Sequence, residues 1–384
     1  MVAAFVGGGP TELRLGKLAA AVPDARVPVT IEGPLSLAAG HLVFGGENTL
    51  MAQAVDEATL HHRGRPEIIT GGVQFGHWFG ALVPHYSVAQ DALLYRAGGP
   101  TTSRFSLVDR RGATIAGTVG EPGEYVTFSV ASDGRTIVAG RSEPDKRGIW
   151  KLEVASGKTS PIQRTPGEYA GDPILRRDGF VTYARGLAAR EVSEVPIDGG
   201  TPTRLPSGNV LQDRSPDGRW LLMGQHASLL AYPVGQDGPP TELVTDGQRV
   251  DQARFSPDGR TVSYNSSESG RFEVWMVRMP PTGEKQQVSS DGGVQPLWRD
   301  DGRELYYLAP NGTLMAVDMN CPEKGRCEIG GPHPLFATGI RSPSHQIEEY
   351  GNLGDGQRFV ILKPSGEAGP LTVLLNWRQL LGHK

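Results

Sequence analysis

The chain repeats itself, and this self-similarity restricts its fold more than any other feature. Ser215-Pro-Asp-Gly-Arg219 and Ser256-Pro-Asp-Gly-Arg260 are identical, with looser copies at Ser132-Asp-Gly-Arg135, Arg177-Asp-Gly179, Asp300-Asp-Gly-Arg303 and Gly354-Asp-Gly-Gln357. The aspartates before these glycines (Asp133, Asp178, Asp217, Asp258, Asp301, Asp355) stand 45, 39, 41, 43 and 54 residues apart. Degenerate copies occur upstream at Gln90-Asp91 and Ala39-Gly40, giving about eight units.

Each unit reads as four short strands. Apolar-flecked segments such as Ala253-Arg-Phe255 precede the landmark, and β-rich runs such as Thr261-Val-Ser-Tyr264 and Glu304-Leu-Tyr-Tyr307 follow it. A third run (Gly148-Ile-Trp-Lys-Leu152, Thr313-Leu-Met-Ala-Val317), a Gly turn and a fourth run complete the unit. The landmark has a mechanical reason. Pro presets φ at the first central turn position, Asp bonds nearby backbone, and Gly takes the positive φ that other residues resist. Asp133, Gly134, Asp217, Gly218, Asp258, Gly259, Asp301 and Gly302 are therefore read as hairpin turns, not as ligands or catalysts. Composition agrees, since 52 Gly and 30 Pro in 384 residues are incompatible with a mostly helical protein. The fold class expected is all-β, a β-propeller of four-stranded antiparallel blades, eight in number with seven or six as alternatives. One domain over 1–384 is expected. Residues 1–32 would be a partial N-terminal blade or closing strand, and 371–377 a C-terminal closing strand paired with a segment such as Ala25–Thr30.

The sequence resembles the TolB-type propeller repeat in its SPDGR turns, each followed by a β-run, in FEVWMVRM and in GVQPLWRDDGRELYYLAPNGTLMAVDM. More narrowly, Asn311–Val317, its echo Asn48–Ala52, and Leu371-Thr-Val-Leu-Leu-Asn-Trp377 are similar to propeller regions that follow the kinase domain of bacterial eukaryotic-like serine/threonine kinases. The resemblance implies a sensing or docking scaffold for a protein or peptide, with no shared catalytic residues. The kinase motifs themselves are missing from this chain. The first 30 or so residues read like the end of a blade cut short, as in a fragment of a longer protein or a stand-alone descendant.

Other chemistry finds little support. With 38 Lys+Arg against 42 Asp+Glu, the net charge of −4 argues against a dedicated nucleic-acid binder. Gly157-Lys-Thr-Ser160 lacks the upstream Gly of a phosphate loop and reads as a hairpin. No Gly-x-Ser-x-Gly elbow occurs, and His61, His62, His77 and His85 show no metal-ligand spacing. No cofactor or metal is expected, and the scaffold is read as non-catalytic; the alternative is a propeller enzyme, or an accessory domain of a hydrolase, acting on a small substrate at the central channel. Membrane insertion by this chain is not expected either, and a monomer is. Cys321 and Cys327 flank a polar turn that could bring them within bridging distance, an outcome the spacing leaves open. A bridge would suit an extracytoplasmic location, matching the kinase-inside, propeller-outside arrangement of the resembling family. A complete chain without an export signal would be cytoplasmic. The charged run Arg141, Glu143, Asp145, Lys146, Arg147 reads as a solvated loop. Binding is expected on the rim formed by such second-to-third-strand loops and those entering each blade, with Tyr125, Tyr169, Arg271 and Trp298 nominated.

Overall fold

A computed structural model describes residues 2–5, 13–17, 25–27, 32–46, 49–56, 61–78, 81–98, 102–186, 191–225, 227–236, 238–245, 249–366 and 369–382. Among them the regular structure is antiparallel strand throughout, apart from one short 3-10 turn at Trp377–Leu380. No helix among the described residues is long and apolar enough to cross a membrane. Where one domain was expected, the chain divides into two compact units, Ser103–Lys363 and Met1–Thr102 with Pro364–Lys384.

The larger unit contains six sheets. Sheet II runs Tyr125–Val130, Thr136–Arg141, Gly148–Glu153, Thr159–Arg164, and sheet III runs Ala170–Leu175, Phe180–Arg185, Glu191–Pro196, Thr203–Leu205. Sheet IV comprises Val210–Arg214, Trp220–Gln225, Ser228–Pro233 and Thr241–Thr245; sheet V comprises Val250–Phe255, Thr261–Ser266, Glu273–Arg278 and Lys285–Gln287. Sheet VI starts Val294–Trp298, Glu304–Leu308, Thr313–Asn320, and both Glu328–Ile329 and His333–Ala337 pair with its third strand. Sheet I joins the two ends of the unit, in the order Thr114–Gly123, Ser103–Asp109, Arg358–Pro364, Tyr350–Asn352.

The first strand of each sheet touches the first strand of the next, and Tyr350–Asn352 contacts both Val294–Trp298 and Tyr125–Val130, which closes a ring of six. The apolar residues explain the ring. Each sheet hides two faces, so Thr261–Ser266 and Glu304–Leu308 are buried at every position. Six clusters fill the six gaps: Phe105 with Ile137, Val138 with Val181, Ala184 with Leu221, Leu222 with Val262, Val274 with Leu305, and Tyr306 with Phe359. Removing any sheet would expose two of them.

The smaller unit holds a four-stranded sheet (Glu32–Ala38, His41–Gly46, Thr49–Val55, His62–Gly71) and a three-stranded one (Tyr86–Val88, Ala92–Arg96, Leu371–Leu375), besides sheets of two and three strands. Each of the eight landmarks thus lies in the turn between two neighbouring strands of its own sheet, the first and second except in sheet I, where Asp355 joins Tyr350–Asn352 to Arg358–Pro364; six are in the larger unit and two here. The strand pairing corrects one expectation. Leu371–Leu375 lies against Ala92–Arg96, with Leu374 opposite Leu93, whereas Ala25–Val27 pairs with Leu13–Lys17. Trp377 fixes this choice: fully buried in the same apolar cluster as Leu93 and Tyr95, it donates its indole N–H to the Ala89 carbonyl at 3.1 Å. Closure of the six-sheet ring falls instead to Arg358–Pro364.

Candidate functional site

The landmark turns are built alike. Gly134, Gly218, Gly259 and Gly302 adopt φ of 65°, 73°, 72° and 72°. Each donates its N–H at 2.8 Å to the carbonyl three residues earlier. Asp133, Asp217, Asp258 and Asp301 accept the N–H two residues on, at 2.9–3.0 Å. In the two full copies, the Ser215 and Ser256 hydroxyls donate to the landmark carboxylate at 2.6 Å.

The inner strands carry a second repeated device. Those of sheets II to VI are all bulged. At the bulge Asp172, Gln252 and Gln295 take φ of 51°, 52° and 58°, a conformation that re-aims the side chain out of the pleat. Polar side chains then reach the next inner strand. The Thr127 hydroxyl accepts the Asp172 N–H at 2.7 Å, Gln212 that of Ala253 at 3.2 Å, Gln252 that of Gln295 at 3.0 Å, and Gln295 that of Glu349 at 2.8 Å. The sequence reading missed this girdle. Its signal is a polar residue about six positions before the landmark Asp, in a strand otherwise read as apolar.

Inside the girdle lies a cavity of about 220 Å³, lined by the inner strands of sheets I to VI and by Ser132, Arg177, Ser215, Pro216, Pro257 and Asp300 at or beside the landmark turns. At the other end of the strands, the segment Ser344–Glu349 lies against sheets V and VI. Gln252 donates to the Ile347 carbonyl at 3.0 Å, Gln295 to the Ser344 carbonyl at 2.9 Å, and Arg254 pairs with Glu348. The cavity is thus bordered by the landmark turns, at the end of the strands away from the rim expected from sequence.

The nominated residues have separate places. Tyr125 is buried against Phe105, with ring centroids 4.7 Å apart, and burial pushes its hydroxyl up to about 12. Tyr169 is also buried. Arg271 is 55% exposed and bonds Glu273 at 2.7 Å. Trp298, on the inner strand of sheet VI, is buried among Leu305, Tyr307 and Val317 and also lines the cavity. Cys321 and Cys327 form a disulfide with Cα atoms 4.2 Å apart, and Gln286 clamps the loop by bonding both the N–H and the carbonyl of Cys327. Arg141, expected in a solvated loop, is instead buried at the end of the strand Thr136–Arg141. Gly157 lies in the hairpin between the third and fourth strands of sheet II.

Charge is concentrated at the cavity. Burial raises the Asp213 carboxyl from 3.8 to about 6, against the pull of Arg254 and of the Phe255 N–H that it accepts at 2.7 Å; Glu348 adds to the rise. Burial likewise raises Asp300, against Arg177. Because the native state holds the Asp213 proton more tightly than the unfolded chain, stability falls as pH rises from about 4 to 6, and the penalty is complete above that. Asp213→Asn should therefore stabilise the protein above pH 7 by about 1–3 kcal/mol and flatten this part of the pH profile. Urea unfolding at pH 4.5, 6 and 8 checks it; a variant less stable than wild type at pH 8 would refute it.

Comparison with known structures agrees with the architecture. A TolB candidate from Agrobacterium tumefaciens aligns over 70% of this chain and 100% of its own, at 17% identity and a TM-score of 0.52. TolB from Acinetobacter baumannii covers 86% of this chain and 79% of its own, at 13% identity and a TM-score of 0.41. Among curated sequences, an uncharacterized protein of Agrobacterium fabrum is 33% identical over 92 residues. That match covers 22% of this chain and 31% of the relative, so the chain spans about a third of the relative's length. No family model matches. The chain has a TolB-like β-propeller fold.

Proposed function

We propose that the six-sheet unit is a non-catalytic scaffold that binds a protein or peptide at the landmark-turn mouth of its channel. The observation that carries this reading is the cavity, a concave site on six mutually braced strands with polar and aromatic groups converging from separate sheets. Trp298 offers an apolar wall there, and Arg177 an exposed cation. The motifs at Asn311–Val317 and Leu371–Trp377 support a finer role, as the sensory or docking region of a bacterial signalling kinase.

The test is to pan a displayed peptide library against the protein and against Ser132→Trp, which places a bulky ring at the exposed mouth. Enriched peptides should bind the wild type at least about tenfold more tightly than the variant. Equal binding to both, or no enrichment, would overturn the proposal.

A further inference from the structure

Four arginines line the cavity from three consecutive inner strands or the turns that follow them: Arg176 and Arg177 from sheet III, Arg214 from sheet IV and Arg254 from sheet V. Arg254 is provided for within the protein, since it pairs with Glu348 and faces Asp213. Arg176 and Arg214 share one carboxylate. Glu194 Oε2 lies 2.9 Å from Arg176 Nη1 and 3.4 Å from Arg214 Nη2, and accepts the Thr182 hydroxyl at 3.2 Å as well.

Arg214 is the least satisfied of the four. Its side chain is 4% exposed, yet Nε and Nη1 have no hydrogen-bond partner among the described residues. A guanidinium presents five donors in a rigid fork suited to a carboxylate, and a buried one left half-bonded favours an acceptor that can reach it. Burial, with Arg176 beside it, lowers its pKa despite Glu194. Arg177 stands exposed nearby and reaches across to the Asp300 carbonyl at 3.5 Å.

We infer that this mouth binds a carboxylate group carried by a peptide, with Arg214 and Arg177 as its donors, an assignment that rests on the reading of the channel as a peptide site. The four arginines already face five carboxylates, Asp213, Asp300 and Glu348 in the lining and Glu194 and Asp178 beside Arg176, so the unmade hydrogen bonds of Arg214, and not a surplus of positive charge, call for the acceptor. The chain already contains an example of the interaction, because Glu348, on the segment lying against sheets V and VI, delivers its carboxylate to Arg254.

Fluorescence anisotropy with labelled Gly-Ser decapeptides tests this. One probe has a free C-terminal carboxylate and one is amidated; a third, amidated, carries a central Glu, and a fourth a central Gln. At least one carboxylate probe should bind about tenfold more tightly than its neutral counterpart, and the arm that does so identifies terminal or side-chain carboxylate as the source. Arg214→Gln and Arg177→Gln should each reduce that preference at least about fivefold, and added salt should weaken it. Should Arg214→Gln fail to fold, the exposed Arg177→Gln carries the comparison. Equal binding of charged and neutral probes, a preference that survives Arg177→Gln, or competition by inorganic phosphate at lower concentration than acetate would overturn the inference. Library peptides sensitive to Ser132→Trp but indifferent to carboxylates would sink this assignment alone; loss of that sensitivity would sink the channel reading itself.

Discussion

Replacing Arg141 by alanine is expected to destabilise the larger unit by about 3–5 kcal/mol, because it removes one partner of a buried charge pair and leaves the other behind. The Arg141 side chain is 1% exposed. Its guanidinium lies between the Tyr125 and Trp150 rings, 5.2 Å from each centroid, bonds Glu121 at 2.8 Å and pairs with Glu143. Even the neighbouring backbone allows for it, since a Cβ at Gly123 would come within 2.6 Å of Nη2. Lysine keeps the charge but neither stacks flat between two rings nor forks onto two carboxylates, so Arg141→Lys should lose about 1–3 kcal/mol. Combining Arg141→Met with Glu143→Gln should cost less than the two single changes together, because the uncompensated charge is then gone. Urea unfolding of Arg141→Ala, Arg141→Lys, Arg141→Met, Glu143→Gln and the double change measures this directly. A loss below about 1 kcal/mol in Arg141→Ala would place the residue among ordinary surface ion pairs.

Arg141 also marks where sequence ceases to be informative. The repeat was legible because its turns need glycine at positive φ and aspartate beside it, a local demand written into five residues. Eight landmarks accordingly mark eight of the ten sheets among the described residues. Burial of Arg141 depends on Tyr125, Trp150 and Glu121 arriving from other strands, so within its own loop it looks like any solvated charge. The same holds for Gln252 and Gln295, polar residues in short strands whose purpose appears once Gln295 of the next sheet, or Glu349 just before sheet I's inner strand, supplies the N–H they accept. Strand pairing was hidden for a related reason. Arg358-Phe-Val-Ile361 and Leu371-Thr-Val-Leu-Leu375 are both apolar β-runs near the C-terminus, and nothing local says which one meets Ser103–Asp109. The docking of Ser344–Glu349 on Gln252 and Gln295 is likewise a long-range event with no local signature.

Phe359→Ala should be comparably damaging, by about 3–5 kcal/mol, and its effect should be concentrated at the closure of the ring. Phe359 is fully buried on Arg358–Pro364, the strand that joins the unit's two ends. Its ring meets Tyr306 edge-on at 5.1 Å and Phe336 at 5.9 Å, and its backbone lies opposite Asn352. Truncation opens a cavity between sheets VI and I that rigid neighbouring strands cannot fill by collapsing. Phe359→Leu, which retains most of the volume, should lose less than about 2 kcal/mol. Leu221→Ala, in the gap between sheets III and IV, serves as the control, since it removes an equally buried side chain far along the chain from the closure. If Arg358–Pro364 holds the ring shut, hydrogen exchange in Phe359→Ala should accelerate first in Ser103–Asp109 and Tyr350–Asn352, the strands on either side of it. In Leu221→Ala those strands should stay protected until global unfolding. Acceleration spread evenly over all six sheets in both variants would mean that the unit unfolds as one block and that Sheet I is no weaker a link than the rest.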